Sequence, residues 1–167
     1  MEILVHDAFG KVEFDPEGDL NEWESEVPFA GGTVELDITF NGSAMDRATL
    51  DGLAKYVTDL ARFDGVARAA MRVDLDDEDS AVRDYIDHHR GEKDLIRRVF
   101  DSDDGSAIAA DAFLPALRLI RVGLYAGTEV SEHEAVLDYS IDPENVHYLV
   151  AVCFGEKGTV AEISMES

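Results

Sequence analysis

The sequence has few basic residues, one cysteine and no long apolar run. It carries 14 Lys and Arg against 37 Asp and Glu in 167 residues, which gives a formal net charge of -23. A chain this acidic repels nucleic-acid backbones and anionic membrane surfaces, and it attracts cations and basic proteins. We therefore expect a basic protein as its possible partner, and neither a nucleic acid nor a membrane.

The single cysteine, Cys153, has no second cysteine with which to form an internal disulfide, which is typical of a reducing cytosol. It lies in the longest apolar run, Tyr148–Phe154, which is far too short to span a bilayer. The first residues show no basic segment followed by an apolar one, so they do not predict a signal peptide. We expect a cytoplasmic protein in which Cys153 is an inert thiol of the core.

Motifs of common catalytic chemistries are also missing. The chain has no Gly-x-Ser-x-Gly around a nucleophilic serine and no glycine-rich phosphate loop. The acidic run 74–79 fails as a calcium loop because Asp79 and Tyr85 stand where Gly and Glu are required. Its acids are instead expected to complement the dipole of a following helix. The sequence predicts no catalytic residue, no metal and no cofactor.

The histidines do not suggest a metal site either. His88 and His89 are adjacent, so on a helix they lie about 100° apart and are not expected to chelate one metal. His89 shares an apolar stripe with Tyr85, which predicts a packed side chain. One cysteine and scattered histidines argue against a structural zinc site.

Three segments near the N-terminus alternate apolar and polar residues with period two, which is typical of strands with one buried face. They are Lys11–Phe14, Glu22–Phe29 and Val34–Phe40. Turn-forming residues at 15–18 and 30–32 link them. The pattern predicts an N-terminal antiparallel β-meander.

The middle of the chain has the apolar spacing of helices, over 50–61, 82–89 and 95–100. Ser43 followed by Asp46 resembles a capping box before the first helix. Asp79 or Ser80 is the expected N-cap of the second.

The last third predicts four strands, at 117–125, 135–141, 147–154 and 159–165. The short turns between them require antiparallel neighbours. Arg118 and Arg121 are expected to pair with half-buried acids such as Asp138. The whole pattern predicts one α+β domain over residues 1–167, with an N-terminal antiparallel meander, central helices and a C-terminal four-stranded antiparallel meander.

Four segments carry a family resemblance: His6–Phe14 with its FGKVEF, the strand around Trp23, the helix Arg83–Glu92 (RDYIDHHRGE) and the ending Leu137–Ser167. They resemble a bacterial family known only as a domain of unknown function, number two thousand and four. The resemblance covers most of the chain and implies an α+β fold, with no activity, cofactor or site residue. Small acidic domains of this kind invite comparison with bacterial immunity proteins.

The candidate partner-binding site is the outward face of the N-terminal strands. If the alternation holds, six carboxylates point away from the core: Glu13, Glu22, Glu24, Glu26, Glu35 and Asp37. Like charges opposite each other destabilise a sheet, so the face is expected to bind a basic partner or cations. The alternative is a solvated face whose charges prevent edge-to-edge pairing.

Three functions remain open at this point. The preferred one is a non-catalytic protein-binding domain, immunity- or antitoxin-like, that occludes a basic partner and attracts it electrostatically. The second is a hydrolase with an unrecognised site, which requires a pocket holding His88 or His147 beside two acids. The third is a housekeeping domain whose acidity reflects adaptation to salt.

Overall fold

A six-stranded mixed sheet packs one of its faces against four helices, in a computed structural model that describes residues 1–167. The strands are β1 (Glu2–His6), β2 (Gly10–Phe14), β3 (Asn21–Phe29), β4 (Gly32–Phe40), β5 (Arg118–Ala126), β6 (Ala135–Ser140), β7 (Leu149–Phe154) and β8 (Val160–Glu166). The helices are α1 (Arg47–Thr58), α2 (Leu60–Asp74), α3 (Ala81–Arg90) and α4 (Lys93–Phe100). Short 3-10 turns occupy Gly42–Ala44, Gly105–Ala107 and Ala110–Ala116.

The strand order in the large sheet is β3-β4-β5-β6-β7-β8. The pairing of β4 with β5 is parallel, and every other pair is antiparallel. All four helices lie in the connection between β4 and β5, which supplies the long crossover that a parallel pair needs. The predicted α+β class is confirmed, and so is the antiparallel order of the four C-terminal strands.

The predicted N-terminal meander is wrong in two respects. The segment 11–14 pairs with β1 in a separate two-stranded sheet and does not join the strand that follows it. In addition, β4 does not end the N-terminal sheet, because its free edge continues in parallel with β5. Strand β1 escaped prediction because its residues up to Val5 are exposed or only half-buried, so no apolar alternation marks it.

The core lies between the sheet and the helices. Leu36, Val122, Leu137 and Val152 form one row across β4 to β7, and each is almost fully buried. Aromatic rings from the helices close over such rows, as where Phe63 meets Phe154 with ring centroids 5.5 Å apart. None of the helices combines the length and the apolar character needed to cross a membrane.

The helix ends follow local capping chemistry. Asp46, not Ser43, is the N-cap of α1, and its carboxylate accepts a hydrogen bond from the Thr49 amide at 2.7 Å. Ser80 caps α3 as predicted, with its hydroxyl 3.0 Å from the Arg83 amide. The predicted helix 50–61 ends at Asp59, whose backbone leaves the helical region, and its last two residues begin a separate helix, α2, most of which was not predicted.

Candidate protein-binding face

The apolar core lies on one face of the six-stranded sheet, and we call the opposite face the outer face. Two rows of residues cross it from β3 to β8. The first row is Glu24, Asp37, Gly123, Val136, Cys153 and Glu162, and the second is Glu26, Glu35, Arg121, Asp138, Ala151 and Ser164. None of these residues belongs to the apolar core that the helices cover.

Five of the six predicted carboxylates lie on the outer face. Glu26 is directly opposite Glu35, and Glu24 is directly opposite Asp37, in the antiparallel register of β3 and β4. Glu22 shares the β3 side of the same face because strand side chains alternate with period two. The sixth, Glu13, lies in the separate sheet of β1 and β2, where it pairs with Lys11 at 3.2 Å.

Arg121 stands near the middle of the outer face between two aspartates. Its Nε and Nη2 donate to the two carboxylate oxygens of Asp37 at 2.6 and 2.8 Å, and its Nη1 donates to Asp138 at 2.9 Å. Nη2 also donates to the Tyr125 hydroxyl at 3.2 Å. Gly123, beside it on β5, leaves the space that the guanidinium fills.

The surroundings shift the pKa of Arg121 and the pKa of Asp138. Burial alone would lower the pKa of Arg121, but the hydrogen bonds to Asp37, Tyr125 and Asp138 raise it above its ordinary value, so the guanidinium stays charged. Burial raises the pKa of Asp138, and the hydrogen bond from Arg121 opposes that rise. The predicted pairing of Arg121 with Asp138 is confirmed, whereas Arg118 is exposed and forms no ion pair.

The balance of charge on the outer face is strongly negative. Strands β3 to β8 contain only two basic residues, Arg118 and Arg121. The carboxylates on this side of those strands are Glu22, Glu24, Glu26, Glu35, Asp37, Asp138, Glu162 and Glu166. Because Arg121 is engaged by Asp37 and Asp138, it leaves the charges of the exposed glutamates uncompensated.

A separate depression lies between α1 and the β5–β6 loop. It encloses about 700 Å³, and His133 is the one histidine in its lining, beside the acids Glu129, Glu132, Glu134 and Glu156. The histidines that the hydrolase hypothesis requires do not line it. His88 is exposed with its ring 4.5 Å from that of Tyr148, and His147 is exposed in the β6–β7 loop.

The sequence did not predict that His133, Cys153 and Glu162 would come together. Their ligand atoms lie within 4.8 Å of one another. Cys153 is buried as predicted, yet it lies on the outer face and not in the apolar core. Burial, followed by the charge of Glu162, raises the pKa of the Cys153 thiol to about 12.

A second unpredicted group brings the two adjacent histidines close to a carboxylate. His88, His89 and Glu92 place one potential ligand atom each within 4.8 Å of the others. His89 Nδ1 is 3.0 Å from the Glu92 carboxylate, and the ring is fully buried as predicted. The three side chains come together because Glu92, beyond the end of α3, reaches back to both imidazole rings.

Comparisons with protein-family models, with curated proteins and with solved structures found no significant match to this chain. The resemblance to domain of unknown function number two thousand and four therefore stays a hypothesis. Function has to be inferred from the geometry of the outer face and of the clusters around it.

Proposed function

We propose that this domain binds a basic protein through its outer face, without catalysing a reaction, in the manner of an immunity or antitoxin protein. One observation carries the proposal. The outer face carries eight carboxylates against two arginines, and one of those arginines is already neutralised by two of the carboxylates. Such a surface favours a cationic partner.

The arrangement is unfavourable for the domain alone, which supports a role in binding. Glu26 and Glu35 face each other across β3 and β4 and neither forms an ion pair, and like charges in that position destabilise a sheet. The face could supply a little over half of one partner's share of a standard interface. Six strands about 4.8 Å apart, with about six residues each, span roughly 500 Å². A standard interface buries about 800 Å² on each partner.

The carboxylates divide into two kinds. Asp37 and Asp138 are held by Arg121 and form a fixed centre. Glu24, Glu26 and Glu35 are exposed, make no ion pair, and are free to meet arginines or lysines of a partner. Binding would cover the partner's basic surface, and the field of the glutamates would accelerate association, so the association rate is expected to fall steeply with salt.

The proposal is tested by capturing partners from a cell lysate at low salt with two matched charge-reversal variants. One carries Glu24→Lys and Glu35→Lys on the outer face. The other carries Asp77→Lys and Glu78→Lys in the exposed loop after α2, with the same change in net charge. We expect a stoichiometric basic protein to be captured by the wild type and by the loop variant, and lost from the face variant. Equal retention by both variants, or equal loss, would contradict the proposal.

A further inference from the structure

Three side chains with metal-binding donors converge at the β8 end of the outer face, next to the β5–β6 loop. Cys153 of β7 lies opposite Glu162 of β8 in the antiparallel register. His133, from the end of the loop, reaches over them and places its Nε2 3.1 Å from a Glu162 oxygen. One donor atom from each residue lies within 4.8 Å of the other two.

We propose that His133, Cys153 and Glu162 bind a divalent metal ion, and that Zn²⁺ fits this donor set best. Imidazole nitrogen, thiolate sulfur and carboxylate oxygen are the three ligand types that zinc takes in proteins, at about 2.0–2.3 Å. In a tetrahedron with those bond lengths the donors stand about 3.4–3.7 Å apart. Closing the group around an ion therefore needs displacements of about 1 Å.

The sulfur is the donor that distinguishes this group from the many carboxylates of the chain. Cys153 is 6% exposed and forms no disulfide. Its sulfur instead lies beside the two polar side chains that would complete a metal site. On binding, the thiol proton is released to solvent and the metal–sulfur bond takes its place.

The local charge also suits a cation. A further carboxylate, that of Glu132, lies 3.8 Å from His133 Nε2 and is exposed enough to move. It is placed to fill a fourth position, which water fills otherwise. Three protein ligands with one open position are typical of zinc sites that exchange a ligand.

The group formed by His88, His89 and Glu92 is a weaker candidate for the same metal. It lacks a thiolate, and the Nε2 of His89 is buried without any partner. This group therefore serves as the internal control.

The test is a titration of chelator-treated protein with Co²⁺ and with Zn²⁺ in excess Mg²⁺, which occupies nonspecific carboxylate sites. We expect one Co²⁺ per chain, with a thiolate-to-cobalt charge-transfer band and the intense visible bands of tetrahedral cobalt. Cys153→Ser should abolish the charge-transfer band and weaken Zn²⁺ binding about 100-fold or more. Glu162→Gln, at an exposed side chain, should weaken it about 10-fold or more. His88→Gln should leave the titration unchanged.

Folding of each variant is checked by circular dichroism and by its melting temperature in chelator. Absence of a thiolate band, unchanged Zn²⁺ affinity in Cys153→Ser, or loss of binding in His88→Gln would each overturn the assignment. Glu162→Gln keeps the test decisive if Cys153→Ser does not fold, because its exposed side chain is not needed for packing.

Discussion

Gly123 lies directly beneath the guanidinium of Arg121. A Cβ atom at Gly123 would come within 2.7 Å of the Arg121 Nη2 and within 2.9 Å of Nη1 and Cζ. Real Cβ atoms do not make contacts this short, and the guanidinium is not free to move because Asp37 and Asp138 hold it. The absence of a side chain on β5 thus lets the one embedded cation of the outer face lie flat on the sheet.

Gly123→Ala should therefore destabilise the fold by about 1–3 kcal/mol, the usual cost of overfilling a packed position. The same change in an Arg121→Met background should cost less, because the group that it displaces is gone. Chemical denaturation of the two single variants and the double variant measures this coupling. Gly52→Ala, in the interior of α1 with open space around it, is the control and should gain about 0.5–1 kcal/mol. If the effects of Gly123→Ala and Arg121→Met are strictly additive in the double variant, Gly123 does not pack against Arg121.

Arg121→Met should lower the free energy of unfolding by about 2–3 kcal/mol. The change leaves two poorly exposed carboxylates, Asp37 and Asp138, without their cation. The expected cost is below the roughly 3–5 kcal/mol of fully buried pairs because water reaches part of this group. Urea denaturation provides the measurement. Arg97→Met removes the exposed pair with Asp103 and should change stability little. An equal effect of the two changes would show that Arg121 does not hold the sheet face.

Glu26→Gln should raise stability by about 0.2–1 kcal/mol at low ionic strength, because it removes the like-charge pair with Glu35. The gain should disappear near 1 M KCl, where the screening length is about 3 Å. Glu78→Gln changes the net charge equally in an exposed loop and controls for the overall repulsion of the chain. Melting temperatures of both variants at low and high KCl measure whether the gain is specific to Glu26 and depends on salt. If Glu26→Gln destabilises the domain at low salt, Glu26 makes a stabilising contact that outweighs its repulsion from Glu35.

His89 should make the domain less stable as the pH falls below about 6.5. Burial, which outweighs the hydrogen bond to Glu92, lowers the pKa of the folded imidazole, so the unfolded chain binds the proton more readily. The free energy of unfolding therefore falls as the pH drops below the pKa of His89 in the unfolded chain, and it levels off below the lowered pKa of His89 in the folded chain. His89→Gln should flatten this slope by at most one proton per molecule, measured by urea denaturation between pH 5.5 and 7.5. An unchanged slope in His89→Gln would contradict the assignment.

Local patterns in the sequence were enough to predict much of the fold. The alternation in β3 and β4 and the turns between β6, β7 and β8 predicted those strands, because each depends on neighbours a few residues away. Helix α2 was missed, because its buried Phe63, Ala67 and Met71 are spaced among alanines and charges that hide the stripe. The parallel pairing of β4 with β5 joins segments separated by every helix of the chain, and no local signal reports it.

The candidate site divides in the same way. The acidic side of β3 and β4 followed from alternation alone. The pairing of Asp37 with Arg121 and the meeting of Cys153 with His133 depend on the register of distant strands and on the path of a loop, which the sequence does not reveal. Gly123 within a strand was the one local sign that a large group lies against β5.

Amide chemical-shift mapping with the captured basic protein is the decisive measurement for docking on the outer face. Docking there predicts that the largest shifts fall on β3 and β4 and spread to β5 and β6, while α1 to α4 are little changed. It also predicts that the shifts vanish for the variant with Glu24→Lys and Glu35→Lys. Shifts confined to the helices, or to the depression between α1 and the β5–β6 loop, would show that the partner docks elsewhere.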